Sequence, residues 1–290
     1  MKLIKSLSCR GLGIMFPSLN QVVEAASDYG FQAVDLPIME LWQSGEDPSS
    51  IREIMESHGL VPGASPLPLF WRGTECEFQE NMESKFEPLI HFAREIGLTR
   101  LYTRVNESLQ QGESFQDALD WHCQRLSRLL TVIQGSGLRL GLETVGVSSF
   151  RQGRPAFLST LESVRNNLAE LFDSYDHLGL LVDLFHLHAA NETLEEAIGP
   201  FTERIVGVHM ADLPRPLQRS EIIDDQRGFP ETSGLVPIAK NLSQLADMGV
   251  DAPVMVETVR DCFDHQNLEF HQKIQYLAST VSKVWPDTTG

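Results

Sequence analysis

The sequence predicts an α/β chain folded as a single (β/α)₈ barrel over residues 1–290, and three observations predict it. Short apolar runs alternate eight times with amphipathic segments, the pattern of strands each followed by a helix. Four of the runs, Leu138–Glu143, Leu178–His188, Ile205–Asp212 and Pro253–Glu257, are almost wholly apolar, as strands covered on both faces must be. Each of these delivers a carboxylate or an imidazole at its C-terminal end: Glu143, Asp183, His209 and Glu257. A parallel barrel would bring such ends to one mouth.

Taken in order, Leu7–Ile14 is expected as strand one, followed by a helix from Asn20 to Tyr29 with Val22, Val23, Ala25 and Ala26 at helical spacing and Gly30 closing it. Phe31–Leu36 is strand two. Ser49 or Ser50 can cap a helix from Ile51 to His58, which Gly59 ends. Strand three starts near Leu60 and runs into the Pro-rich stretch Pro66–Trp71, where Phe70 and Trp71 could wall a pocket or join the core. A helix from Asn81 to Ile96 leads to strand four, Arg100–Val105. The long helix Phe115–Gln134 precedes the Glu143 strand, a helical stretch Pro155–Asp173 the Asp183 strand, and a short helix Leu194–Phe201 the His209 strand. The polar segment Leu213–Gly234 is longer than an ordinary connection and reads as a cover for an active site. A helix from Val236 to Met248, the Glu257 strand and a final helix from about Gln266 to Val284 complete the alternation.

The formal net charge of −17 and pI near 4.9 argue against a nucleic-acid partner, which needs clustered Lys and Arg. The four cysteines, Cys9, Cys76, Cys123 and Cys262, are scattered without a C-x-x-C pair and read as reduced thiols. The first residues lack a long apolar region with a cleavage site, and no run approaches the roughly 18 apolar residues of a membrane span. A cytoplasmic protein with no membrane partner is expected.

Three carboxylates and one imidazole suit an octahedral divalent ion. Mn²⁺ is the expected ion, with Mg²⁺ and Co²⁺ close behind and Zn²⁺ usually drawing more His or Cys. Such an ion can hold a carbonyl and its neighbouring hydroxyl and stabilise the enediolate left by deprotonation of the adjacent carbon. Glu143 and Glu257, arriving from different strands, could serve as base and acid on opposite faces of the substrate. His186, three residues past Asp183 on the loop side, could touch the metal, bind a substrate oxygen or be a loop histidine; His188 reads as structural. Asp212 could orient the His209 imidazole from behind or begin the loop as a turn residue. Arg215, between Pro214 and Pro216, could aim donors at substrate oxygens or stand as a solvated charge. Arg104 could meet an anionic substrate group or a salt-bridge partner, and Asp35 ends strand two as a weaker candidate.

These residues resemble the xylose isomerase-like TIM barrels, the sugar phosphate isomerase/epimerase group. The resemblance runs along almost the whole chain and rests most specifically on Gly141–Glu143, Val182–His186, Val208–Asp212 and Val256–Thr258. It implies metal ligation by Glu143, Asp183, His209 and Glu257. The ketose 3-epimerases of this group are similar in placing a substrate-binding His three residues after the Asp and an Arg six after the metal His, which are His186 and Arg215 here. They also carry a Glu six residues after the first metal Glu, where this chain has Ser149. The resemblance implies a small sugar-like substrate and a homodimer or homotetramer. The expected activity is isomerisation or epimerisation of a small sugar, keto-sugar or polyol. Dehydration next to a carbonyl, of the inosose or keto-glycoside type, is the alternative within enzymes, and a non-catalytic sugar-binding barrel the alternative outside them. Endonuclease IV shares the barrel, but its DNA substrate suits this acidic chain poorly.

Overall fold

The computed structural model describes residues 3–263 and 268–286. The chain opens with β1 (Ile4–Leu7), α1 (Leu19–Asp28) and β2 (Ala33–Val34). Helices α2 (Ile38–Ser44) and α3 (Pro48–Ser57) lead to two strand fragments, β3 (Val61–Pro62) and β4 (Ala64–Pro66). Helix α4 (Glu75–Asn81), a π turn (Met82–Phe86) and α5 (Glu87–Glu95) form one rod before β5 (Arg100–Arg104). Then follow α6 (Phe115–Ile133), β6 (Arg139–Glu143), α7 (Leu161–Asn167), α8 (Ala169–Ser174) and β7 (Leu178–Asp183). Helices α9 (Leu184–Ala190) and α10 (Leu194–Ile198) precede β8 (Ile205–Met210), and α11 (Ile238–Asp247) precedes β9 (Pro253–Val256) and α12 (Phe270–Val284).

All strands are parallel, in the order β3-β2-β1-β9-β8-β7-β6-β5-β4. The two ends of that order flank Gly63, so the sheet is a nearly closed barrel. The expected third strand is thus broken in two, giving nine segments instead of eight. The break has a steric cause: a Cβ on Gly63 would overlap Asp35 Oδ1 and Ser6 Oγ, which fill the space a side chain would need.

Strand alternation sets what faces the barrel axis. Ala64, Tyr102, Leu181 and Met255 form a small apolar cluster apart from the main core that packs between the sheet and the helices. Two residues further along the same strands stand Arg104 and Asp183, with Glu257 just past β9. The period of two therefore lifts them to the C-terminal mouth. Glu143 stands likewise beyond Gly141, and His209 beyond Gly207. Between β7 and β8 the register slips, from Leu180↔Ile205 to Leu181↔Gly207, leaving Val206 as a bulged residue. Its side chain occupies the room left by Gly141 and Gly179, where added Cβ atoms would lie 2.9 Å and 2.8 Å from Val206 atoms. Beyond the bulge Asp183 and His209 are paired at one level.

Several expected boundaries move. Strand one ends at Leu7 rather than starting there, and residues 8–14 form tight turns. Gly11 explains this, since its Cβ would sit 2.7 Å from Val256 O, and its own carbonyl accepts from Thr258 and Val259 N–H. That close approach ties the segment after Glu257 to the first loop. The α3 cap is Asp47, whose carboxylate accepts from Ser50 N–H with Pro48 opening the helix, rather than Ser49 or Ser50. The stretch expected helical from Pro155 begins only at Leu161 under the Thr160 cap, because Phe157 N–H is committed to Glu107 O. The final helix is described from Phe270, and its expected start at Gln266 lies outside the described residues. No described helix is long and apolar enough to cross a membrane.

Candidate metal centre and substrate pocket

Glu143 ends β6, Asp183 ends β7, His209 is the penultimate residue of β8 and Glu257 follows β9, so four neighbouring strands supply the four groups. One ligand atom from each lies within 4.8 Å of every other. His209 Nδ1 is 3.2 Å from Glu143 Oε1 and 3.3 Å from Glu257 Oε2. The Tyr102 ring meets the imidazole edge to face, 4.9 Å between centroids, and forms the floor of the cluster.

Asp183 has two tasks because the chain turns into helix α9 directly after it. Its Oδ1 accepts from Phe185 and His186 N–H as the helix cap, which leaves Oδ2 for the cluster. This helix was hidden in the sequence, since an unbroken apolar run carries neither a strand nor a helix period past Asp183. It moves His186 from a loop to a helical first turn and buries it. His188 sits on the same helix, partly buried, and lines a different cavity.

Sequence reasoning missed Arg227. It is fully buried, reaches in from the 213–234 segment, and holds several groups at once. Its Nη1 is 2.8 Å from Asp183 Oδ2 and 3.3 Å from Glu257 Oε2, its Nε donates to Asp224 Oδ1 at 2.8 Å, and its plane lies 4.6 Å over the Phe185 ring. Nη2 is 2.9 Å from His186 Nε2. A guanidinium can only donate, so His186 Nε2 accepts and the imidazole is neutral. Burial first, and the Arg227 cation second, push the His186 pKa well below its ordinary value. The only advance signal for Arg227 was its place in an unusually long connection.

Asp212 anchors the segment that follows it. Its carboxylate accepts from the backbone N–H groups of Leu213, Ser233, Gly234 and Val236, and its backbone pairs with Gly228 in both directions. Those bonds fold the covering segment back over the mouth and place Arg227 one residue from the bridge. Asp212 reaches His209 through no described hydrogen bond. Arg215 stands exposed on that segment with Pro214 and Pro216, outside both the cluster and the large cavity beside it.

Burial and like charges raise the pKa of Glu143 and of Asp183, burial being the larger cause in each. Burial alone would lower His209, yet Glu257 and Glu143 outweigh it and raise it well above its ordinary value. For Glu257 burial is likewise outweighed, by His209 and Arg227, which hold the carboxylate well below its usual range. Glu143, Asp183, Glu257 and Asp224 bring four negative charges against one from Arg227, an excess of three when His209 is neutral. Such an excess in a buried place is costly without a countercharge. A dication supplies it, and the donors fit one: Asp183 Oδ2 and both His209 nitrogens are buried without a hydrogen bond among the described residues, Arg227 standing at ion-pair distance from the former. The cluster suits a divalent metal ion.

Beside it opens a cavity of about 620 Å³ lined by Glu143 and Glu257, by Arg10, Arg72 and Arg104, and by the Pro66–Trp71 stretch. Trp71 is a fixed wall rather than a mobile rim. Its indole N–H donates to Thr103 Oγ1, its ring stacks on Trp121, and its carbonyl accepts from the buried Arg125. Phe70, by contrast, is exposed. Asp35 lies buried in a neighbouring cavity of about 400 Å³, with Ser6 Oγ donating to its Oδ1, and burial pushes its pKa up to about 7.

Comparison with known proteins gives a consistent picture. An inosose isomerase of Bacillus velezensis is 20% identical over 277 residues, covering 92% of each chain. A xylose isomerase domain protein of Alicyclobacillus acidocaldarius superposes with a TM-score of 0.82 at 20% identity over 98% of both chains. The IolI protein, whose crystal structure holds a zinc atom, superposes with a TM-score of 0.79 at 17% identity, covering 97% of this chain and 98% of that one. Further barrels of this shape are named as sugar epimerases and as a probable dehydratase. At these identities the superpositions carry the fold. The family model of the xylose isomerase-like TIM barrel matches residues 23–280, and the chain belongs to that family.

Proposed function

We propose that the protein is a divalent-metal-dependent isomerase or epimerase of a small sugar, keto-sugar or polyol, working through an enediolate. The observation that carries this reading is the four-residue cluster, with excess buried negative charge, opening onto a cavity that two of its own carboxylates line. Glu143, Asp183, His209 and Glu257 would hold the ion, which when bound polarises the substrate carbonyl and its neighbouring oxygen. Glu143 and Glu257 arrive from strands separated by β7 and β8. In this reading one takes a proton from one face of the substrate and the other returns it to the opposite face. His186 and Arg227 position the oxygens nearest Asp183. Trp71 and Tyr102 exclude water from the wall and the floor.

The inosose isomerase, the epimerases and the allulose complex among its relatives support a sugar-like substrate. A lyase reading shares the same proton abstraction and differs only in the group that leaves. The probable 3-DHS dehydratase of the same fold, and Ser149 in place of the epimerases' glutamate, favour keeping it.

The test is proton exchange in D₂O followed by NMR, with Mn²⁺ supplied and removed before readout, over keto-sugars, inososes and 3-keto-glycosides. Deuterium next to a carbonyl with the wild type, and none with Glu143→Gln or Glu257→Gln proteins that still fold, is the expected result. The product then separates epimerase from lyase. A metal-loaded protein that exchanges no member of the panel would refute the reading.

A further inference from the structure

The cavity beside the cluster holds more positive charge than the fold explains. Arg10, Arg72 and Arg104 all line it, in a chain of net charge −17. Elsewhere the buried guanidinium groups have carboxylate partners, as Arg125 has Glu75 and Arg227 has Asp183 and Asp224. Among the described residues these three form no ion pair. Arg104 lies 5.0 Å over the Phe150 ring and its buried Nε makes no hydrogen bond among the described residues. Arg72 lies 5.8 Å over Phe70 and makes one long bond, 3.4 Å, to Asn106 Oδ1. Burial first and the Arg104 charge second lower the Arg72 pKa, while Glu107 and Glu143 pull it the other way from beyond ion-pair distance. With aromatic rings against their planes, the N–H edges of these groups are what remains for a ligand. Two partly buried like charges facing one cavity are held at an electrostatic cost that an anion there would relieve.

We propose that Arg72 and Arg104, with Arg10 at the rim, bind an anionic group of the substrate, so that the substrate is a sugar acid or sugar phosphate rather than a neutral sugar. This rests on the reading that the carbonyl end of the substrate meets Glu143 and Glu257. Carboxylate and phosphate share the chemistry that a guanidinium fork recognises.

The test is binding to the Mn²⁺-loaded full chain, read by calorimetry and by quenching of tryptophan fluorescence, with Trp71 in the cavity wall. Three six-carbon keto compounds serve as probes: D-fructose, 5-keto-D-gluconate and D-fructose 6-phosphate. One anionic probe should bind at least about ten-fold tighter than fructose, and the better of the two identifies the group. The preference should shrink as ionic strength rises and fall to near unity in Arg72→Gln or Arg104→Gln, while Arg104→Lys keeps part of it. The wild-type series needs no variant to fold. Equal binding of all three, preference for fructose, binding by none, or a preference untouched by the arginine variants would overturn the proposal. The two readings fail separately. Proton exchange on neutral sugars without anionic preference sinks this one alone, and anionic preference without exchange sinks the proposed reaction alone.

Discussion

Replacing Arg227 by Gln is the sharpest perturbation of this structure. The guanidinium sits 2.8 Å from Asp183 Oδ2, 2.8 Å from Asp224 Oδ1 and 3.3 Å from Glu257 Oε2, with its side chain 1% exposed. Gln keeps an amide NH₂ group and loses the charge. The excess of negative charge around the cluster then rises by one, and the Asp183 carboxylate, itself 1% exposed, loses its cation. Removing one partner of a buried ion pair costs about 3 to 5 kcal/mol, because the other charge stays buried. The upper half of that range is expected here, since several acceptors share the one cation. Urea unfolding in EDTA, followed by far-ultraviolet circular dichroism, measures it. Saturating Mn²⁺ should narrow the gap to wild type, because a dication supplies the missing countercharge. Arg215→Gln, at an exposed position, should stay within about 0.5 kcal/mol of wild type. A loss below about 1 kcal/mol for Arg227→Gln in EDTA would refute the reasoning, since the cluster would then tolerate its charge without the arginine.

Other residues give independent tests. Asp212→Ala strips the acceptor from four backbone N–H groups and should cost about 3 kcal/mol. Limited proteolysis should then cut first within residues 213–234, and an unchanged cleavage pattern would count against the anchor. His122 is buried among Trp71, Trp121 and Phe157, its Nδ1–H donates to Ala118 O, and its pKa is lowered to about 4 from 6.5, chiefly by burial. The folded value lies below the unfolded one, so its stability contribution is complete above pH 6.5 and is lost as pH falls towards 4. The loss should reach about 3 kcal/mol, and the difference between wild type and His122→Gln across that window isolates it. Gly63→Ala drives a methyl into Asp35 and Ser6 and should lower stability by about 2 kcal/mol, or Tm by about 5 °C in calorimetry. An unchanged Tm would mean the third strand breaks at Gly63 for another reason.

The parts of this protein that can be read without coordinates are those with a period. Runs such as Leu178–Asp183 and Ile205–Met210 are apolar throughout because both faces of a barrel strand are covered, so strand, strand end and terminal residue all show in the letters. Glu143, Asp183, His209 and Glu257 followed from that alone, and the alternation of helices supplied the barrel that brings them together. Tyr102 was open to the same reasoning, one alternation below Arg104. What only the tertiary structure decided has no period. Arg227 reaches the cluster along an irregular segment whose path depends on four hydrogen bonds to Asp212. Arg215 carries the matching spacing yet faces outward, because spacing along a chain fixes direction only where the backbone repeats. Helix α9 lay inside an apolar run that fits either period, and Gly63 interrupts a strand because of Ser6 in β1 and Asp35 just past β2. That Arg72 and Arg104 have no carboxylate partner among the described residues showed only once their neighbours were known. Local order is written in the spacing of apolar residues, whereas charge balance is a sum over groups from the whole chain and exists only when the chain is folded.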